Sequence, residues 1–150
     1  MDKGNIDLNY LRLAIKNSKK SMKEGNFPAG AVVVKDGKIL TSEVSAPYPG
    51  LFHADSKAIQ KAFKKHGPLR GATLYIGLEP CLMCMGIAYW AEIRRVVYAV
   101  PKSAVSGDYY ETPQDTQPLF KKFNEKIEMI QLKKLENEAL EIIKQWEQNQ

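Results

Sequence analysis

The sequence predicts an α/β fold organised around a mixed sheet, on three observations. Two apolar runs flank Asp36-Gly37 as in a β-hairpin, two later apolar runs enclose a helical segment, and amphipathic helices precede and follow them. A hairpin makes one side of the sheet antiparallel, and a strand-helix-strand crossover makes the other side parallel.

Residues 7–23 place Leu8, Leu11, Ile15 and Met22 at helical spacing, and Gly25 and Pro28 end the segment. In "AGAVVVKDGKIL" the Asp36-Gly37 pair supplies the positive φ angles of a tight turn. "SAPYPG" is too rich in proline and glycine for regular structure, so it forms a loop that delivers the chain to His53. Over residues 54–66, Ala54, Ala58, Ile59, Ala62 and Phe63 keep one helical face apolar before Gly67-Pro68 stops it. "ATLYIGL" then reads as a buried strand running into "EPCLMC", where Pro80 suits the start of a helix continued by "MGIAYWA". "RRVVYAV" is the next strand, ended by Pro101. The polar, aromatic-dotted "SGDYYETPQDTQ" and a short helical "PLFKKF" separate it from "KIEMIQL". That connection is too long for a hairpin and suits a crossover, so the last strand is expected to run parallel to its predecessor. Residues 138–148 form a closing helix with Ala139, Ile142, Ile143 and Trp146 on one face.

With 150 residues, 44% of them hydrophobic, and no repeat or linker, the expectation is one domain over residues 1–150. No apolar run approaches the roughly 20 residues that span a bilayer, and "MDKGNIDLNY" lacks the basic-then-apolar order of a signal peptide. A cytoplasmic protein with no membrane contact is expected. The net charge of +5, from 22 basic and 17 acidic residues, permits an anionic partner without demanding one. Arg12, Arg70, Arg94 and Arg95 alone carry the planar fork suited to phosphate or base recognition, whereas Lys16, Lys19, Lys20 and Lys23 read as a solvated helix face.

Cys81 and Cys84 are the two cysteines of the chain. In a reducing compartment their Cys-x-x-Cys spacing favours metal or redox chemistry over a structural disulfide. On the first turn of a helix both sulfurs lie near one point, where free N–H groups and the helix dipole favour thiolate. His53, at the start of the preceding helix, supplies a third donor if both helices begin at the same edge of the sheet, where an open α/β sheet carries its site. Catalytic zinc takes three such donors and leaves one position open. Taken singly, the cysteines also fit a redox pair or two buried thiols, and His53 fits a helix cap. Taken together, "HAD" before one helix and "PCLMC" after a strand point to zinc. His66, in "KKHGP", reads instead as a solvent-facing residue at a helix C-terminus.

With these motifs the chain resembles the zinc-dependent cytidine deaminase superfamily, and within it the branch of bacterial guanine deaminases and tRNA adenosine deaminases. The resemblance runs from "GAVVVKDGKIL" through "HAD" to "ATLYIGLEPCLMCMGIAYWAEIRRVVYAV", with "EPCLMC" as its most specific element. "GIAYWA" and "SAVSGDYY" are more similar to the guanine deaminases. It implies a three-layer α/β/α sandwich, cytidine deaminase-like, with a central five-stranded mixed sheet. It also implies one zinc per chain on His53, Cys81 and Cys84, and a homodimer. The implied reaction is hydrolytic deamination: zinc acidifies a water that attacks the ring carbon bearing the amino group, and a carboxylate moves the proton to a ring nitrogen and on to ammonia.

Asp55 stands where the family has glutamate. One methylene fewer shortens the reach by about 1.5 Å, and a misplacement of about 1 Å can cost on the order of a hundredfold in rate. Three readings stay open: an active deaminase whose backbone or a water compensates, a zinc-containing but catalytically silent partner protein, and a different zinc-dependent hydrolysis. Substrate specificity departs from the family too. Ser45 stands where an asparagine is common, the loop over residues 45–53 is shorter than usual, and Ala29 replaces a frequent phenylalanine. The resemblance assigns substrate contacts to Ser45, Ala54, Trp90 and Asp108, with Tyr109 alongside; ordinary packing is the other reading of Trp90 and the tyrosines. The expected substrate is a nucleobase or nucleoside, a purine of guanine type first. Adenosine in tRNA comes second, given the few arginines and the lack of a basic run in "IIKQWEQNQ".

Overall fold

Side-chain alternation along the strands decides how the layers stack. In β1 (Gly30–Lys35), Ala31 and Val33 join the core on one face of the sheet while Val32 and Val34 join the core on the other, and all four are buried. A strand buried on both faces needs helices on both, which makes three layers. The computed structural model describes residues 3–150. The remaining elements are α1 (Lys3–Lys23), β2 (Lys38–Val44), α2 (Ala54–His66), β3 (Thr73–Leu78), α3 (Leu82–Trp90), β4 (Arg95–Val100), α4 (Gln117–Phe120), β5 (Glu128–Gln131) and α5 (Glu136–Gln148).

The strand order is β2-β1-β3-β4-β5, with β1 antiparallel to both neighbours and β3, β4 and β5 mutually parallel. Four strands therefore point their carboxyl ends at one edge, and β1 alone runs the other way. Asp36 (φ 51°) and Gly37 (φ 73°) make the turn between β1 and β2. Ala58, Ile59, Met85 and Ala88 of α2 and α3 pack on Val33, Leu74, Ile76 and Val96. Leu11 and Ile15 of α1, with Ile142 and Ile143 of α5, pack on Val32, Val97 and Ala99 across the sheet.

The mixed sheet, the parallel last strand and the span of α2 agree with the sequence expectation. Two helices start earlier than their apolar periodicity: α1 at Lys3 and α5 at Glu136. Phe63, expected on the apolar face of α2, is 40% exposed. Between β4 and β5 the chain forms two short 3₁₀ turns before α4. No helix among the described residues is long and apolar enough to cross a membrane.

Two features hold α1 against the sheet. A Cβ on Gly30 would lie 2.4 Å from the Ala14 carbonyl oxygen, so this position admits a helix backbone only because it has no side chain. At the other end, Asp7 accepts from Arg95 Nη1 at 2.9 Å, from Arg95 Nη2 at 2.5 Å and from the Tyr75 hydroxyl at 2.6 Å. Burial acts to raise the Asp7 carboxyl, but the hydrogen bonds from Arg95 and Tyr75 outweigh it and hold the group below its ordinary value. Asp7→Ala leaves Arg95 without its buried partner and is expected to cost about 3–5 kcal/mol in urea unfolding at neutral pH. Because the folded pKa is depressed, that contribution is present above the unfolded carboxylate value of about 3.9 and fades as pH falls through the folded value. Equal stability of Asp7→Ala and the unaltered protein at neutral pH would contradict this account.

Candidate active site

The segments that follow β2, β3 and β4 all emerge at the edge where these strands end, and they line a cleft of about 340 Å³. Residues 45–53 lead from β2 to α2, Glu79, Pro80 and Cys81 lead from β3 to α3, and residues 108–111 follow β4. His53 is the last extended residue before α2, and Cys81 is the last before α3. Cys84 lies three positions after Cys81, on the same helical face.

His53 Nδ1 lies 3.5 Å from Cys81 Sγ and 3.5 Å from Cys84 Sγ, and the three ligand atoms all fall within 4.8 Å of one another. A tetrahedral zinc with bonds of about 2.3 Å to sulfur and 2.0–2.1 Å to nitrogen sets its sulfur and nitrogen donors about 3.5 Å apart. The cluster fits that ion. His53 Nε2 lies 2.8 Å from the Gly50 carbonyl oxygen, which can only accept. The proton therefore belongs on Nε2, and Nδ1 presents its lone pair to a metal. A hydrogen bond with Cys81 pulls the imidazole up to about 9, and a hydrogen bond from Cys84 draws the Cys81 thiol down to about 6, with His53 adding to the effect. The Cys84 thiol is raised, first by its hydrogen bond to Cys81 and then by burial. A divalent cation displaces the protons these groups share.

Asp55 lies in the first turn of α2, 4% exposed, on the lining of the cleft. Its Oδ1 is 3.0 Å from Cys84 Sγ and accepts from the Ser56 N–H at 3.2 Å. Burial raises this carboxyl above its ordinary value, against the pull of Cys84 and His53. Glu79 is also buried and on the lining; it accepts from the Lys102 N–H at 2.9 Å and from Gln117 Nε2 at 3.3 Å.

Of the residues read as substrate contacts, Ser45 and Asp108 lie on the cleft, as does Tyr109. Ala54 does not: it is fully buried between α2 and the sheet. Trp90 is 80% exposed at the far end of α3, in a separate groove with Ile59, Phe63 and Ile87. The helical rise explains the placement, since nine residues at 1.5 Å carry Trp90 about 13 Å from Cys81. His66 is exposed at the end of α2, as expected. Sequence reasoning missed Glu111, whose two carboxylate oxygens accept from the N–H groups of Leu82 and Met83, each at 3.1 Å. It also missed Tyr110, whose hydroxyl donates to the Glu79 carbonyl at 2.7 Å. Tyr110 ends the quoted stretch "SAVSGDYY" and Glu111 follows it, but nothing local marks either contact, since both partners are about thirty positions away.

The family model described as the cytidine and deoxycytidylate deaminase zinc-binding region matches residues 5–100. A tRNA-specific adenosine deaminase of Bacillus subtilis (strain 168) is 34% identical over 128 residues, covering 81% of this chain and 76% of that protein. A probable cytosine deaminase of Schizosaccharomyces pombe is 36% identical over 97 residues, covering 63% of this chain and 60% of that one. Among solved structures, a guanine deaminase from Nitrosomonas europaea superposes with a TM-score of 0.75 at 18% identity, covering 91% of this chain and 82% of that chain, a likeness of fold.

Proposed function

From the premise that the chain belongs to the zinc-dependent cytidine and deoxycytidylate deaminase family, we propose that it hydrolytically deaminates a purine base or nucleoside, guanine-type first, with Asp55 moving the proton. The observation that carries the proposal is the 3.0 Å separation between Asp55 Oδ1 and Cys84 Sγ. The shorter aspartate side chain lies beside a metal-ligating sulfur, which supports a carboxylate near the reacting centre despite the missing methylene.

His53 Nδ1, Cys81 Sγ and Cys84 Sγ would hold the zinc, which when bound would supply the acidity that makes water a nucleophile near neutral pH. The chain's own groups do the rest. Asp55, desolvated on the cleft lining, moves the water's two protons in turn: the first to a ring nitrogen as the oxygen adds to the ring carbon, the second from the added hydroxyl to the amino group, so that the C–N bond breaks, the C=O bond forms and ammonia leaves. Phe27, Tyr48 and Tyr109 pack edge to face or tilted against one another on the lining and give a planar ring an aromatic wall. Ser45 and Asp108 supply polar contacts.

The cleft volume admits a base from a free nucleoside or from an RNA strand, so support for one over the other is sought on the surface. Arg70 is paired with Glu92 and Glu125, Arg94 with Glu125, and Arg95 with Asp7. Three of the four arginines are thus committed within the chain, which favours the free substrate over a phosphate backbone. The second reading, adenosine deamination in tRNA, draws on the likeness to the Bacillus subtilis protein.

The homodimer that the resemblance implies is assigned to the groove between α2 and α3, where Trp90 (80% exposed), Phe63 and Ile87 lie together. Met83 borders both this groove and the cleft, so a partner here would also close the site. Sedimentation is expected to give two chains for the unaltered protein and one for Trp90→Glu; a monomer in both cases would remove this partner.

Ammonia release by zinc-loaded protein is measured against free bases, nucleosides and tRNA. Release from a purine base or nucleoside is expected, with Asp55→Ala lowering kcat about 10²- to 10⁴-fold at unchanged zinc content. Turnover surviving in Asp55→Ala would disprove the aspartate's role. Release from tRNA alone would establish the second reading, and none from any substrate would make the chain a silent zinc-binding partner.

A further inference from the structure

The residue at the N-cap of a helix ordinarily turns its side chain onto the free N–H groups of the first turn. In α3 that residue is Cys81, whose sulfur faces His53 and makes no capping hydrogen bond. The first two helical N–H groups, those of Leu82 and Met83, are taken instead by Oε1 and Oε2 of Glu111. The cysteine sulfur is turned to the metal cluster, and a carboxylate 29 residues further along the chain takes these two N–H groups.

Glu111 ends a segment that is tied down residue by residue. The Asp108 carbonyl accepts from the Tyr48 hydroxyl at 3.2 Å, the Tyr109 hydroxyl donates to Glu147, and the Tyr110 hydroxyl donates to the Glu79 carbonyl. All four residues of this segment line the cleft. We propose that Glu111 is a positioning residue: it holds the Cys81–Cys84 turn in its ligating geometry and joins that turn to the cleft wall. Its acceptors fix the first turn of α3, which would otherwise fray at the two sulfurs, and its negative charge sits beside the cation site at the end of the helix. Partners of this kind, one shell beyond the ligands, typically carry a tenfold or larger share of metal affinity.

This inference rests on zinc at His53, Cys81 and Cys84, and its readout is zinc affinity rather than turnover. Zinc is partitioned between the protein and a chromophoric chelator, with circular dichroism confirming that each variant is folded. Glu111→Ala is expected to weaken zinc binding about 10- to 100-fold, and Glu111→Gln, which keeps one oxygen acceptor, to recover part of the loss. Glu147→Ala cuts the Tyr109 tether but leaves the cap on α3, and is expected to stay within about twofold of the unaltered protein. Equal affinities for Glu111→Ala and the unaltered protein would overturn the positioning role while leaving the metal site standing. Equal losses in Glu111→Ala and Glu147→Ala would assign the effect to the wall segment as a whole and also overturn it. No zinc on the unaltered protein would remove the metal reading beneath it.

Discussion

Three ligand atoms from two separate helices can meet only if both helices begin at the same edge of the sheet. Strand direction meets that constraint. Because β1 runs against both of its neighbours, β2 and β3 point the same way, and the chain leaving each of them turns into a helix at a common edge. The parallel crossover from β3 to β4 then carries α3 back across one face with its N-terminus beside β3's end. His53 and Cys81 are the residues at which extended chain becomes helix, so the turn from one geometry to the other is itself the metal cluster. The cleft loops and the Asp55 carboxylate follow from the same edge.

Asp55, which the resemblance sets where a glutamate is expected, is held close to the cluster. Its carboxylate lies against Cys84, held by the neighbouring Ser56 N–H, in a position almost closed to solvent. Burial raises the carboxyl above its ordinary value, against the pull of Cys84 and His53. Contact with a ligand sulfur also carries a hazard, since a carboxylate this close could itself become a ligand and close the open position that hydrolysis requires.

The sequence displayed those parts of the molecule that depend on neighbours in the chain. Ala58, Ile59 and Ala62 revealed α2 through helical spacing, Asp36-Gly37 revealed the hairpin, and "EPCLMC" revealed the metal-binding turn together with His53. Contacts across long separations were hidden. Nothing near Glu111 marks it as the cap of a helix that begins 29 residues earlier, and nothing near Asp7 marks Arg95 as its partner 88 residues on. Trp90 lies away from the cleft because composition registers an aromatic residue without its distance along a helix, and the Ala54 side chain lies in the core because membership of a motif says nothing of which face a side chain takes.

The central claim is that His53, Cys81 and Cys84 bind zinc while Asp55 stays outside the coordination shell as the proton carrier. Zinc-edge X-ray absorption on the zinc-loaded protein and on Asp55→Ala tests it directly. The account predicts two sulfurs at about 2.3 Å, one imidazole nitrogen at about 2.0–2.1 Å and one water oxygen without the outer carbon scattering of a carboxylate, with the same first shell in both proteins. A carboxylate oxygen present in the unaltered protein and lost in Asp55→Ala would contradict it, because Asp55 would then be the fourth ligand of a closed site.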